Sequence, residues 1–170
     1  MTSAGRQKAG LSGHAIARAR PMFHRVLSAR PDTVRRTLTD IRSRFRSEIG
    51  EDTMGRLELV LAEVMNNVAE HAVRISQNGT PGQVPLIHLS VVMQDSGLSC
   101  AISDDGVTLP DECLRPRGLP LIDGAELPEG GFGWYLIQDL TQALCYYREE
   151  QRNFLAFSIP FDDSGKEAST

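Results

Sequence analysis

The chain has 170 residues, 41% hydrophobic and 24% charged, a balance that suits one globular domain with tails. No apolar run approaches the roughly 20 residues that span a bilayer, and the N-terminus lacks a secretory hydrophobic region, so a cytoplasmic protein is expected. The net charge of −4 divides unevenly: residues 1–50 hold 11 Lys/Arg against 3 Asp/Glu, and residues 51–170 hold 7 against 19.

The basic front has neither interleaved aromatics nor a nucleic-acid motif, which argues against direct nucleic-acid binding. Two readings of it stay open, a solvated helix face and a surface for an acidic protein partner. Cys100, Cys113 and Cys145 are scattered with no CxxC spacing, which speaks against a disulfide framework and a zinc site.

In chain order, residues 1–20 are small, polar and basic and are expected to form a disordered tail. MFHRVLSA (22–29) reads as a strand. Pro31 and Asp32 then open a helix with Val34, Leu38, Ile41 and Phe45 at helical spacing and arginines opposite, closed by Gly50. Asp52 is placed to N-cap a longer helix over about 53–73. ISQNGTPGQ (75–83) reads as a loop, and VPLIHLSVVM (84–93) with GLSCAIS (97–103) as a hairpin.

Residues 104–130 contain Pro110, Pro116, Pro120 and Pro128 and show little periodicity. A segment of that kind inside a compact domain is usually functional. GFGWYLIQDLT (131–141) opens a helix beginning near Trp134, and ALCYYREEQRNFLAFSIP (143–160) reads as strand, turn and strand. The ordered domain is expected over 21–161, with a polar tail at 162–170. Local hairpins imply a mainly antiparallel mixed sheet with helices on one face, a two-layer α+β sandwich.

On the long helix, at about 100° per residue, Leu61, Val64, Val68 and Ile75 fall within about 40° of Leu57 and form the core stripe. Glu63, Asn67 and His71 form a second stripe along one border of that face, whereas Asn66 lies opposite the core. Asparagine is a poor helix former, because its side chain competes for backbone hydrogen bonds. Polar groups at a half-buried border either bond their neighbours, as i,i+4 pairs often do, or face a ligand. His71 reads equally as a packing residue.

Two glycine-bearing segments could meet such a ligand. Asp104, two residues before Gly106 at a strand end, can accept from an exocyclic amine while the glycine lets backbone approach a flat ring. A plain turn gives the same pattern. Gly130, Gly131 and Gly133 precede a helix, where unobstructed N–H groups suit phosphates; a hinge or cap is the alternative.

Taken in order, Glu63-x-x-x-Asn67-x-x-x-His71, Asp104-x-Gly106, a long segment and Gly130-Gly131-x-Gly133 resemble the N, G1 and G2 boxes of the histidine-kinase-like (GHKL, Bergerat-fold) ATPases. SARPDTVRRTL, EVMNNVAEHA and YYREEQRNFLAFSIP narrow the resemblance to the anti-sigma-factor serine/threonine kinases of bacterial partner switching (RsbW/SpoIIAB type), over roughly residues 22–160.

That resemblance implies ATP and Mg²⁺ as cofactors, with Glu63 as general base and Asn67 as the Mg²⁺ ligand. Asp104 would accept from the adenine amine, with Gly106 beside it. Gly130, Gly131 and Gly133 would meet the phosphates, His71 would complete the nucleotide site, and 107–130 would form a lid. It further implies a sigma factor and an anti-sigma antagonist as protein partners, a homodimer, and no membrane or nucleic acid. The arginine-rich helix 31–46 is the expected partner surface.

The pattern departs from the family in two ways. Val107-Thr108 follows Gly106 where many members carry a second glycine, and Asp105 adjoins Asp104 as a rival for the carboxylate role, although strand phase favours Asp104. A phosphoacceptor-histidine domain is not visible. The alternatives are a non-catalytic ATP-sensing adaptor and a detached two-component kinase domain.

Overall fold

The structure is a computed structural model that describes residues 20, 22–77, 84–106, 108 and 132–161, with the side chains of 72–77 and 132 excepted. Residues 1–19 of the expected N-terminal tail, the C-terminal tail, Gly130, Gly131 and nearly all of the expected lid lie outside the described residues.

Five strands and three helices alternate as β1 (Met22–Ser28), α1 (Pro31–Phe45), α2 (Glu51–Gln77), β2 (Leu86–Met93), β3 (Gly97–Asp104), α3 (Phe132–Leu140), β4 (Gln142–Glu149) and β5 (Arg152–Pro160). The strands form one sheet in the order β1-β2-β3-β5-β4, and each of the four pairings is antiparallel. The fold is the expected α+β sandwich.

Period-two alternation decides which side of the sheet is covered. Ile87, Leu89 and Val91 of β2, Leu98, Cys100 and Ile102 of β3, and Leu155, Phe157 and Ile159 of β5 are buried. They are in register: Leu89 faces Ile102, which faces Leu155. The other phase carries Ser90, Ala101 and Ala156 side by side, half-buried or exposed. A fully buried stripe on the helices, Ile41, Phe45, Leu57, Val60, Leu61, Met65 and Ile137, meets the apolar face. At about 25 cal/mol per Å² of apolar area, this shared face supplies most of the folding drive.

Local chemistry sets the ends of elements. Pro31 takes the first helical position of α1, where its missing N–H costs nothing. Thr33 substitutes for a capping residue at position 30: its hydroxyl lies within donating reach of the carbonyl oxygens of Ser28 and Arg30 (2.8 Å), which share its one hydrogen, and accepts from the Arg30 N–H (3.3 Å).

Several boundaries differ from the sequence reading. The first helix ends at Phe45, short of the expected Gly50, and β2 starts at Leu86 rather than Val84. The long helix starts at Glu51, so Asp52 sits in its first turn and pairs with Arg56 (2.7 Å) rather than capping it. It also continues to Gln77, through Ile75 and Ser76 of the expected loop. The third helix starts at Phe132, which places Gly133 inside its first turn. Propensity alone places such ends poorly, because capping and packing decide them.

The β2–β3 turn is closed by Gln94 N–H to Gly97 O (2.8 Å). Any Cβ at Gly97 would run into the carbonyl of Ile159 and approach Pro160 Cα to 2.9 Å, so the two strands meet there only because the residue is glycine. No helix among the described residues is long and apolar enough to cross a membrane.

Candidate functional site

A cleft opens between α2, the ends of β3 and β5, β4 and the start of α3. Val64, Asn67, Val68 and His71 line it from α2, Ile102 and Asp104 from β3, Trp134 from α3, Tyr146 from β4, and Asn153 and Leu155 from β5. The walls are largely apolar and aromatic with a few polar side chains among them, the make-up of a site for a flat, partly polar ligand.

The border stripe on α2 reaches this cleft in part. Asn67 and His71 line it, one turn apart and both half-buried. Neither side chain makes a hydrogen bond among the described residues, so the neighbour-bonding reading does not account for Asn67. Asn66 is half-buried and does not line the cleft.

Glu63 stands apart from the walls. Its carboxylate lies against Gly133 in the first turn of α3, in the space that a Cβ on residue 133 would need, with Glu63 Cγ 2.6 Å from that point. Of the three glycines expected to meet phosphates, Gly133 is the one described, and it faces the expected base.

Asp104 and Asp105 have separate tasks. Asp105 is turned away and accepts from the Leu86 N–H (2.7 Å), tying the turn to β2. Asp104 is buried and lines the cleft. Its Oδ1 accepts from the Gly106 N–H (2.8 Å) and from Asn153 Nδ2 (2.9 Å). A Cβ at Gly106 would stand 2.8 Å from that same oxygen, so the glycine allows its N–H to close on the carboxylate.

Burial raises the pKa of Asp104, because the charged form loses water; the hydrogen bonds from Asn153 and Gly106 oppose that rise.

Trp134, Tyr146, Arg148 and Asn153 were not singled out by motif spacing. Asn153 is directly opposite Asp104 in the β3–β5 register. Its signal in the sequence is phase: it shares the inward alternation of Leu155, Phe157 and Ile159, where an unpartnered polar side chain would be costly.

The profile described as a histidine kinase-like ATPase domain matches residues 27–159. The chain belongs to the histidine kinase-like ATPase family. Domains of this family bind ATP, typically with Mg²⁺.

No curated protein matches this chain. Among solved structures it is similar to the histidine kinase domain of the Erythrobacter litoralis blue-light-activated histidine kinase EL346, at 18% identity and a TM-score of 0.45, covering 76% of this chain and 60% of that one. It therefore spans less than two thirds of that structure. It is also similar to two nucleotide-free forms of the catalytic domain of the histidine kinase ThkA. The first is 12% identical with a TM-score of 0.42, covering 82% of this chain and 97% of that one. The second is 13% identical with a TM-score of 0.43, covering 82% and 96%.

The residues of the cleft fit Mg·ATP. The apolar and aromatic walls suit a purine, and Asp104, which lines the cleft, has a second oxygen, Oδ2, that takes no hydrogen bond among the described residues. Asn67 offers a carbonyl oxygen at the same cleft. Mg²⁺ is commonly held by one or two protein oxygens together with substrate phosphates, so one side chain can suffice.

Proposed function

We propose that this protein is an anti-sigma factor and serine/threonine protein kinase of a bacterial partner-switching system, active in the cytoplasm as a homodimer. It binds Mg·ATP, phosphorylates a Ser or Thr of an anti-sigma antagonist, and sequesters a sigma factor. The observation that carries this reading is the convergence of Asn67, His71 and Asp104 on one cleft, with Glu63 against the first turn of α3.

Each residue has a task that matches its place. Asp104 accepts from the adenine amine, and Trp134, Tyr146 and Val68 pack against the ring. Asn67 holds Mg²⁺, and the ion, when bound, neutralises charge on the phosphates. Backbone N–H groups at Gly130, Gly131 and Gly133 meet the phosphate oxygens.

Glu63 takes the proton from the attacking Ser/Thr hydroxyl as its oxygen bonds to the γ-phosphorus. The bond to the β–γ bridging oxygen breaks, and ADP leaves.

On the partner surface, Arg25 is paired with Asp40 (2.5 Å), and Arg42 with Glu58 (2.6 Å) and Glu51 (2.9 Å). Partner contact is accordingly assigned to the exposed Arg35, Arg36 and Arg46, which make no ion pair among the described residues.

Purified protein incubated with Mg·ATP and an antagonist should transfer γ-phosphate to Ser/Thr, and Glu63→Ala should abolish transfer while retaining nucleotide binding. ATP binding without transfer would favour the non-catalytic adaptor. Transfer to histidine would favour a detached two-component kinase domain.

A further inference from the structure

A closed ring of hydrogen bonds backs the carboxylate that faces the cleft. Arg148 Nη1 donates to Asn153 Oδ1 (2.6 Å) and to Gly106 O (3.1 Å). Tyr146 OH also donates to Asn153 Oδ1 (2.9 Å). Asn153 Nδ2 donates to Asp104 Oδ1 (2.9 Å), and the Gly106 N–H closes on the same oxygen (2.8 Å). The ring joins β4, β5, the end of β3 and the turn after it.

The donor inventory fixes the direction of this chain. Arginine has no acceptor, so the Asn153 atom that it meets must be the carbonyl oxygen. The amide nitrogen then points at Asp104, and a nitrogen donor requires an acceptor oxygen there. Asp104 Oδ1 is thereby taken twice, by partners that can only donate.

Oδ2 is left as the oxygen that faces a ligand. The charged and titratable groups around it are Asp105 beyond the strand, Arg148 and Tyr146 on β4, and His71 on α2. Burial and the neighbouring Asp105 favour a neutral carboxyl, whereas the Asn153 and Gly106 hydrogen bonds and the Arg148 charge favour the carboxylate.

We propose that Arg148, acting through Asn153, is a positioning residue that holds Asp104 as a pure acceptor and so makes the cleft select 6-aminopurine nucleotides over 6-oxopurine nucleotides. This rests on the reading of the cleft as an adenine site. A 6-amino group donates to Oδ2. In the same pose a 6-oxo group sets oxygen against oxygen unless Asp104 carries a proton on Oδ2, and pairing its N1–H with the carboxylate instead requires the ring to shift along the cleft. Loss of the Arg148 donor leaves Asn153 Oδ1 with the Tyr146 hydroxyl, which can accept as well as donate and so fixes the amide less strictly, and it weakens the bias toward the carboxylate. The protonated carboxyl can then donate to a 6-oxo group. Discrimination falls in both directions.

The test is the ratio of dissociation constants for ITP and ATP, measured by titration calorimetry at one pH with Mg²⁺, for the wild type, Arg148→Met and Arg148→Lys. Thermal melts verify that each variant is folded. The wild type should prefer ATP strongly, since hydrogen-bonding sites reject mismatched analogues by large factors. Arg148→Met should reduce the ratio by about tenfold or more, on the scale of one charge-assisted hydrogen bond, and Arg148→Lys should restore part of it.

A variant that weakens ATP and ITP equally, leaving the ratio unchanged, would overturn the proposal and leave the adenine site standing. A wild type that binds neither nucleotide would overturn the adenine reading itself, and this proposal with it. Should Arg148→Met fail to fold, Tyr146→Phe, which removes the second donor to Asn153 Oδ1 without changing charge, should lower the ratio by a smaller factor. An unchanged ratio there would overturn the relay.

Discussion

The carboxylate of Glu63 occupies the place that a side chain on Gly133 would fill, so the proposed base and the first turn of α3 are fitted to each other. Glycine is otherwise a poor choice inside a helix, costing about 1 kcal/mol relative to alanine. At position 133 the absence of a Cβ lets Glu63 lie across the helix start, beside the N–H groups expected to meet phosphate.

Gly133→Ala separates these effects. Helix propensity should hold or slightly raise the melting temperature, while the new methyl group forces the Glu63 carboxyl aside. Displacement of a reacting group by about 1 Å can cost on the order of 100-fold in rate. Phosphotransfer should therefore fall by about that factor, while ATP affinity changes less than about tenfold, because the backbone N–H is retained. Unchanged transfer would show that Glu63 does not act from this position.

Asp104 links stability to pH with a defined sign. Its folded pKa is raised above the ordinary value of 3.8, chiefly by burial, so the folded state holds its proton more tightly than the unfolded chain. This group's contribution is fully favourable below pH 3.8 and is lost as pH rises through the folded pKa. Asp104→Asn removes the buried charge and keeps an oxygen for the Gly106 and Asn153 donors. Its melting temperature near pH 7–8 should equal or exceed that of wild type, and the advantage should shrink as pH falls toward 3.8. ATP affinity should drop about 10- to 100-fold, because the amide then offers a donor to an amine. A variant that is less stable at pH 8 and binds ATP normally would contradict both halves.

Asn67 supplies a further separation. Wild type should bind ATP more tightly with Mg²⁺ than with a chelator, and Asn67→Ala should reduce that ratio by about tenfold or more, on the scale of losing a metal-site contact. The ratio isolates the metal from the purine contacts, which Asn67→Ala leaves in place. Equal Mg²⁺ dependence in both proteins would assign the metal elsewhere.

Local periodicity along α2 located two of the three residues of its border stripe, Asn67 and His71 but not Glu63, on the cleft. The angular position of Asn67 and His71 beside the core stripe placed both on the cleft, and strand phase separated Asp104 from Asp105. Relationships between elements were less accessible. Asn153 meets Asp104 through a strand pairing 49 residues apart in sequence, a contact that the hydrophobic pattern constrains only once the strand order is known. Trp134 read simply as an apolar helix residue until α3 was placed against the cleft. The start of α2 at Glu51 was missed because Asp52 suits a first-turn acid paired with Arg56 as well as it suits a cap.

The central claim is that the cleft between α2 and the ends of β3 and β5 binds Mg·ATP through Asp104 and Asn67. Isothermal titration calorimetry of the full chain with Mg·ATP tests it most directly. One saturable site per chain is predicted, strongly weakened in Asp104→Asn and weakened by metal chelation. No detectable binding by a folded wild-type protein, or binding indifferent to Asp104, would contradict it.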